Sequence, residues 1–413
     1  MPRDRLDTWK AIAAHVGRDV RTVLRWHKDR GLPVHRVPGG KGRSVFAYAD
    51  ELDAWMAGEA RTGGDRESGN GQREPGRARQ RAPFVVPASA ALLTVLIVTA
   101  AALVARGAAT GEPVEVAVVG KSLIAFDAAR REVWRVPLPH SASLTARGPS
   151  FVDLDADGRR EILVPLTLSE PSGTVGGVLY CFEAKGRLRW SRAIADTIRF
   201  GAGEFGPPWS SADIAVIRRG SSVAIAYAVT HSVWWPSIVA LLDARGEITG
   251  RFIHAGWITR LAAGADGTVL LAGGVSNARD ASILAVLEGD GAFTGAWGET
   301  AAEYRCDCPS VRVAKYFVFP RSEANRSAGQ LALRQSIEVQ ADGSLLVRVP
   351  QRGDLPADAL YEFSPSFDLR RAAFADLYWD WHRQLEAAGV LDHTRRDCPA
   401  RTPSFTAAAS PLS

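Results

Sequence analysis

Charge is missing from one long stretch of this chain, and cysteine from its first 180 residues. Between Phe84 and Ala105 the sequence FVVPASAALLTVLIVTAAALVA holds 22 residues and no charge. A helix of that length crosses roughly 30 Å of hydrocarbon, so the run predicts a transmembrane helix. A buried core helix, the alternative, seldom runs so far without a polar position. More than 80 residues precede the run, which argues against a cleavable signal peptide. The four cysteines (Cys181, Cys306, Cys308, Cys398) all follow it. Also lacking are a nucleophile elbow, a phosphate-binding loop, a zinc-peptidase helix and a kinase signature. Those absences, with histidines scattered at His140, His231, His254, His382 and His393, point away from an enzyme.

What is present is ordinary for a globular protein: 46% hydrophobic and 23% charged residues exclude a wholly disordered, collagen-like or coiled-coil chain. The net charge of +5 is unevenly spread. Residues 1–81 carry 17 Lys+Arg against 11 Asp+Glu, and the remainder 33 against 34. A basic end suits nucleic acid or an acidic membrane surface. Arg73, Arg77, Arg79 and Arg81 precede the apolar run, against Arg106 and Lys121 beyond it. By the positive-inside rule the N-terminus is cytoplasmic and the larger C-terminal part lies outside the inner membrane. Residues 59–83, rich in Gly, Arg, Glu and Gln, cannot bury a core and read as a flexible linker.

Residues 1–58 read as a small α+β domain. Trp9, Ile12, Ala13 and Val16 recur at helical spacing, with Asp7 as N-cap and Gly17 as stop. A second helix starts near Asp19, turning Val20, Val23, Leu24 and Trp26 inward, and ends at Gly31. Two short strands around a glycine-rich turn follow, then a helix from Asp50 to Met56 that buries Leu52 and Trp55. The segments TWKAIAAHVGRDVRTVLRWHKDRGLPVHR and GRSVFAYADELDAWM resemble the winged helix-turn-helix of the MerR and excisionase-like families. The resemblance implies a second helix in the major groove of double-stranded DNA and a wing on the flanking backbone. Arg18, Arg21, Thr22, Arg25 and Lys28 crowd the exposed side of that helix, where Arg and Thr reach base edges and phosphates. Arg36, Lys41 and Arg43 cluster in the wing, whose glycines allow close approach to phosphates.

Residues 106–370 read as all-β, with a recurring unit of strand, acidic turn and second strand. Leu123–Asp127 precedes Trp134; Val178–Glu183 precedes Gly186 and Trp190; Ile238–Asp243 precedes Gly246; Ile283–Glu288 precedes Gly291 and Trp297; Leu360–Phe363 is a worn copy. The acidic positions lie 56, 60 and 45 residues apart. Such a period suits a β-propeller of five to seven blades, with a β-sandwich pair as the competing architecture. The units resemble those of quinoprotein-type propellers. Between the first two units, Phe151-Val-Asp-Leu-Asp-Ala-Asp-Gly-Arg-Arg-Glu161 resembles the calcium loop of FG-GAP/VCBS propellers. By that resemblance Asp153, Asp155, Asp157 and Glu161, with the Arg159 carbonyl, are ligands of a structural Ca²⁺. Hard oxygen donors on a tight loop suit that ion. An acidic hairpin turn without metal is the plain alternative, and Val164 stands where an EF-hand has its bidentate glutamate.

Cys306, Cys308 and Cys398 are disulfide candidates in an oxidising compartment, a bridge from one of the pair to Cys398 stapling the tail. Cys181 reads as a buried thiol. Zinc is not expected, since no nearby His or Cys shows the usual spacing. Trp209, Trp234, Trp235 and Trp257 are candidates for a stacking pocket, or for packing between blades. Residues 371–392 read as a C-terminal helix and residues 393–413 as a disordered tail. The whole is expected to be a membrane-tethered, dimeric one-component transcription regulator of a bacterium, sensing a ligand or partner through its outer domain. The alternatives are an envelope scaffold or adhesion protein and a periplasmic quinoprotein-like enzyme.

Overall fold

In a computed structural model of the chain the recurring units become neighbouring strands of successive antiparallel sheets, the third and fourth of the meander in the second, third and fifth sheets and the second and third in the first. The structure describes residues 5–6, 9–16, 22–23, 27, 32–36, 45–49, 51–52 and 55. It also describes 111–408 except 220–221, 234–235, 289–292, 330–334, 354 and 399. Two compact units are present, Met1–Val86 and Pro87–Ser413.

In the first unit, helix α1 (Trp9–His15) accompanies a sheet of β1 (Arg5–Leu6), β2 (His35–Arg36) and β3 (Val45–Tyr48), with β3 central. Ile12, Ala13, Val16, Val23, Leu32, Ala47 and Leu52 close its core, with Trp9 and Trp55 packed against it. Ile12, Ala13 and Val16 come from one helical face, as the spacing predicts.

The second unit is a series of meander sheets. The first holds β4 (Glu115–Val119), β5 (Ser122–Phe126) and β6 (Glu132–Pro137). The second holds β7 (Ser141–Leu144), β8 (Ser150–Val152), β9 (Glu161–Glu170), β10 (Gly173–Phe182) and β11 (Leu188–Ala193). A small hairpin of β12 (Ile198–Phe200) and β13 (Gly203–Phe205) follows. The third sheet runs β14 (Trp209–Arg219), β15 (Ser222–His231), β16 (Ser237–Leu242) and β17 (Ile248–His254). Then come β18 (Ile258–Ala263), β19 (Val269–Ser276) and β20 (Ala281–Glu288) of the fourth. Strand β21 (Thr294–Ala296) joins the third sheet, and β22 (Lys315–Pro320) completes the fourth. The fifth is β23 (Ser336–Val339), β24 (Leu345–Pro350), β25 (Asp358–Phe363) and β26 (Leu369–Phe374). Helix α2 (Glu323–Ser327) follows β22, α3 (Asp376–Ala387) follows β26, and β27 (Thr406–Ala408) adds to the edge of β22.

Side chains alternate between neighbouring sheets, as the period of two requires. In β15, Ala224, Ala226 and Ala228 face the fourth sheet's core cluster, while Ile225, Tyr227 and Val229 face the second sheet's. In β20, Ile283, Ala285 and Leu287 go one way and Leu284 and Val286 the other. Their central stretches, Val223–Val229 and Ile283–Leu287, are apolar on both faces because both faces are covered. In the fifth sheet, β24 and β25 alternate buried with half-buried positions instead. Each Leu or Ile removed from water contributes roughly 1.5–3 kcal/mol. Serial packing of meander sheets of three to five strands, each sharing a core with the next, is the arrangement of β-propeller blades rather than of two facing sandwich sheets.

A tryptophan clasp joins the first three sheets and explains the repeat. Trp134 Nε1 of β6 donates to the Ala184 carbonyl in the next sheet's turn at 3.1 Å, and Trp190 Nε1 of β11 donates to Ala244 at 3.0 Å. Each indole covers a glycine at positive φ, Gly186 (+82°) and Gly246 (+79°), where a Cβ would fall 2.6 Å from the ring. The turns are pinned by their acidic residue: Asp243 Oδ1 accepts the N–H groups of Arg245 and Glu247.

Several expectations are corrected. The single-pass inner-membrane placement falls, since no helix among the described residues is long and apolar enough to cross a membrane. The longest, α3, has 12 residues, about 18 Å against the roughly 30 Å needed, and buries Tyr378, Trp379 and Trp381 in protein. Residues 84–105 themselves, like the 59–83 linker, lie outside the described residues. The C-terminal helix is Asp376–Ala387, not 371–392, because 369–374 are taken as the last sheet's fourth strand. The tail is not disordered throughout: β27 pairs Val318 with Thr406 and Tyr316 with Ala408. In the fourth unit the second strand leaves its sheet, since β21 pairs in parallel with β17. Trp297 then stacks on Tyr316, centroids 4.1 Å apart, instead of clasping a turn.

Candidate functional site

Of the DNA-binding candidates, Thr22 lies in a helical turn beside the buried Val23, and the Arg36 backbone pairs with Val45 in the β2–β3 hairpin. Arg18, Arg21, Arg25, Lys28, Lys41 and Arg43 lie outside the described residues. Strands β2 and β3 pair, His35 opposite Phe46 and Arg36 opposite Val45, and the residues between them lie outside the described residues.

The acidic loop between β8 and β9 folds onto itself. Asp153, Asp155 and Glu161 bring carboxylate oxygens within 4.8 Å of one another. Asp153 accepts the N–H groups of Asp157 (3.2 Å) and Gly158 (2.9 Å), Gly158 turning at φ +83°. Asp157 turns its Oδ1 to the Arg159 N–H. Glu161 is buried and accepts from Leu154 N at 2.9 Å. Its other oxygen lies 2.7 Å from Arg189 Nη1, and Arg189 Nη2 lies 2.9 Å from Asp155 Oδ2. The chain thus supplies its own cation. A calcium ion needs six to eight oxygens, and here it would have to displace the guanidinium from two of its carboxylates. As arranged, Arg189 engages the Glu161 and Asp155 oxygens that such an ion would use.

Two buried polar clusters sit where the sheets meet. Asp213 of β14 is fully buried; Oδ2 accepts the Leu261 N–H of the fourth sheet at 2.9 Å, and Oδ1 lies 3.3 Å from Arg147 Nε of the second. Burial pushes its carboxyl up and the Arg147 charge opposes that. Between the third and fourth sheets, His254 Nε2 and Tyr316 Oη are hydrogen-bonded at 2.9 Å. Burial drives the His254 pKa down to about 4 and the Tyr316 hydroxyl up. Glu299 pairs with Arg279 at 3.1 Å; burial raises its carboxyl. His254 and Tyr316 are 1% and 0% exposed. That arrangement holds three elements in register and cannot meet a solute. A surface cleft of about 210 Å³ lies between the fourth and fifth sheets, lined by Asp266, Val269, Val339, Leu345 and Phe367. That is below the 300–1,000 Å³ of common ligand pockets.

Trp209 is buried and donates to the Asp196 carbonyl, so it packs; Trp234 and Trp235 lie outside the described residues. Cys181 is a buried free thiol, its pKa pushed up to about 12 by burial. Cys306 and Cys308 are bonded to each other, and Cys398 is a buried free thiol. The expected bridge to Cys398 is therefore corrected: the pair's sulfurs are spent two residues apart.

No family model and no curated protein matches the chain. Solved structures similar in fold include the Dos1 propeller at 8% identity, 62% of this chain, 54% of that chain and a TM-score of 0.36. The β-propeller domain of the Trilobed protease from Pyrococcus furiosus, with an open velcro topology, is 14% identical over 56% of this chain and 57% of that one, TM-score 0.30. The WD40 domain of SCAP from fission yeast is 8% identical over 66% and 57%, TM-score 0.29. This chain spans about half the length of the Dos1 propeller chain. The likeness concerns the fold alone, and the description as blades rests on strand order and shared cores.

Proposed function

We propose that the chain is a transcription regulator whose N-terminal unit binds double-stranded DNA as a dimer and whose propeller-like unit receives the controlling ligand or protein. The observation that carries the reading is the β2–β3 hairpin. It stands on an apolar core shared with α1, and its connecting residues hold Lys41 and Arg43. Arg18, Arg21, Thr22, Arg25 and Lys28 of the sequence, with Lys41 and Arg43, supply side chains of the types that make phosphate and base-edge contacts. Dimerisation places two such units on two half-sites. Broad, serially packed sheets suit recognition of a partner, and no reaction is assigned.

The test is DNA selection and gel-shift titration with the full-length chain. Arg21→Ala with Arg25→Ala should abolish sequence preference. Lys41→Ala with Arg43→Ala should weaken all sequences alike and reduce the salt slope by about two. Unchanged affinity and slope in both variants would refute the reading.

A further inference from the structure

The C-terminal end of the propeller-like unit gathers metal-binding side chains that are far apart in sequence. His382 belongs to α3, His393 and Cys398 to the loop after it, and Glu323 opens α2 behind β22. One ligand atom from each of His382, His393 and Cys398 lies within 4.8 Å of the others. Glu323, Asp392 and His393 form an overlapping group that meets the same criterion.

The hydrogen bonding leaves the inward nitrogens open. His382 is 1% exposed, and its Nδ1 is bonded to Glu386 Oε1 at 2.6 Å, one helical turn on. Carboxylate, imidazole and metal in a row is the common outer-shell pattern: Nδ1–H is held and Nε2 keeps its lone pair. His393 repeats it, with Nδ1 on Asp392 at 3.2 Å. Its Nε2 is buried with no hydrogen-bond partner, 3.7 Å from Glu323 Oε2. A buried nitrogen without a partner costs on the order of 1–3 kcal/mol unless something fills the gap. Cys398 is 6% exposed and unbridged, because Cys306 and Cys308 take each other.

We propose that His382, His393, Cys398 and Glu323 form a structural site for a zinc ion that fastens the tail of the propeller-like unit. Two imidazoles, a thiolate and a carboxylate are borderline donors, which suit zinc over calcium or magnesium. One thiolate and one carboxylate balance its two charges. A tetrahedral ion at Zn–N of about 2.0 Å and Zn–S of about 2.3 Å keeps donors roughly 3.3–3.8 Å apart. The His382, His393 and Cys398 donors already lie within 4.8 Å of one another, so these three close on the ion by about 1.5 Å at most; Glu323 joins through His393, its Oε2 3.7 Å from Nε2. The ion would tie α2, α3 and the tail at the point where the tail turns back to lay β27 on β22. Arg395, its guanidinium 4.6 Å above the Trp379 ring, already pins the intervening loop.

The full-length chain, stripped with chelator and equilibrated with zinc, should retain one zinc per chain after desalting. With cobalt(II) in place of zinc it should show tetrahedral d–d bands and a thiolate charge-transfer band. Cys398→Ser should lose that band, and His393→Ala should lose stoichiometric metal while keeping its near-UV dichroism. Glu386→Gln should weaken zinc roughly 10–100-fold, and His140→Ala should leave it unchanged. A wild-type chain that retains no zinc and shows no cobalt–thiolate band overturns the proposal without reference to any variant. Equal metal content in wild type, Cys398→Ser and His393→Ala overturns it as well.

Discussion

Gly186→Ala tests the clasp between the first two sheets. Gly186 sits at φ +82°, and a Cβ there would lie 2.6 Å from the Trp134 ring. The backbone cost of alanine in the left-handed region is roughly 1–2 kcal/mol. Pushing the indole aside adds an overpacking cost of about 1–3 kcal/mol and weakens the Trp134 Nε1 bond to Ala184. The sum, about 2–5 kcal/mol, lowers the melting temperature by roughly 5–10 °C in a unit of this size. Gly148→Ala is the control: φ is +77° and nothing lies within 4 Å of its Cβ, so only the backbone cost applies. Thermal and urea unfolding of both variants measures the difference. In a Trp134→Leu background the extra penalty at Gly186 should shrink toward that of Gly148, which a double-mutant cycle reads directly. Equal destabilisation of Gly186→Ala and Gly148→Ala would refute the clasp. The converse change is available one sheet earlier, where Arg130 occupies the turn at φ 59°. Arg130→Gly relieves left-handed strain of roughly 1–2 kcal/mol but adds about 0.4–1 kcal/mol of unfolded-state entropy and loses the exposed pair with Glu115, so its net effect should be small beside that of Gly186→Ala.

His254 is buried and neutral, its pKa about 4 against an ordinary 6.5. The folded chain therefore binds fewer protons there, and this stability, complete above pH 6.5, is lost as pH falls toward 4. The loss amounts to about 3 kcal/mol; His254→Gln should flatten denaturation midpoints over that window, and an identical pH slope in both proteins would refute the assignment. Arg189→Ala should let the acidic loop take up calcium, seen as a calcium-dependent rise in melting temperature absent from the wild type; a wild-type response equal to the variant's would show that the guanidinium does not exclude the ion. Asp213→Ala strands the buried N–H groups of Leu261 and Ile214, and should destabilise by about 2–4 kcal/mol in chemical unfolding.

The strand, acidic turn and strand units were legible because a hairpin is local. A period of two, a turn acid that accepts its own backbone N–H groups and a glycine at positive φ are all written within a dozen residues. Trp134 and Trp190 recur at one offset from their turns, but their clasps onto Ala184 and Ala244 of the next sheet came only from the structure. The acidic loop was legible as a loop, yet its ion was not: Arg189 arrives from 28 positions beyond Glu161 and carries no local mark. Where the chain leaves the repeat, pattern failed. Nothing around Thr294–Ala296 tells that this strand will run parallel to β17 while Lys315–Pro320 takes its place, because edge choice depends on which partner remains unpaired once the sheets have stacked. The bond between Cys306 and Cys308, and the meeting of His382, His393 and Cys398 with Glu323, were likewise settled by packing. So the sequence alone determined the kind of element at each place. Only the tertiary structure decided which distant side chains share a point in space, because that depends on how the whole series of sheets closes on its own side chains.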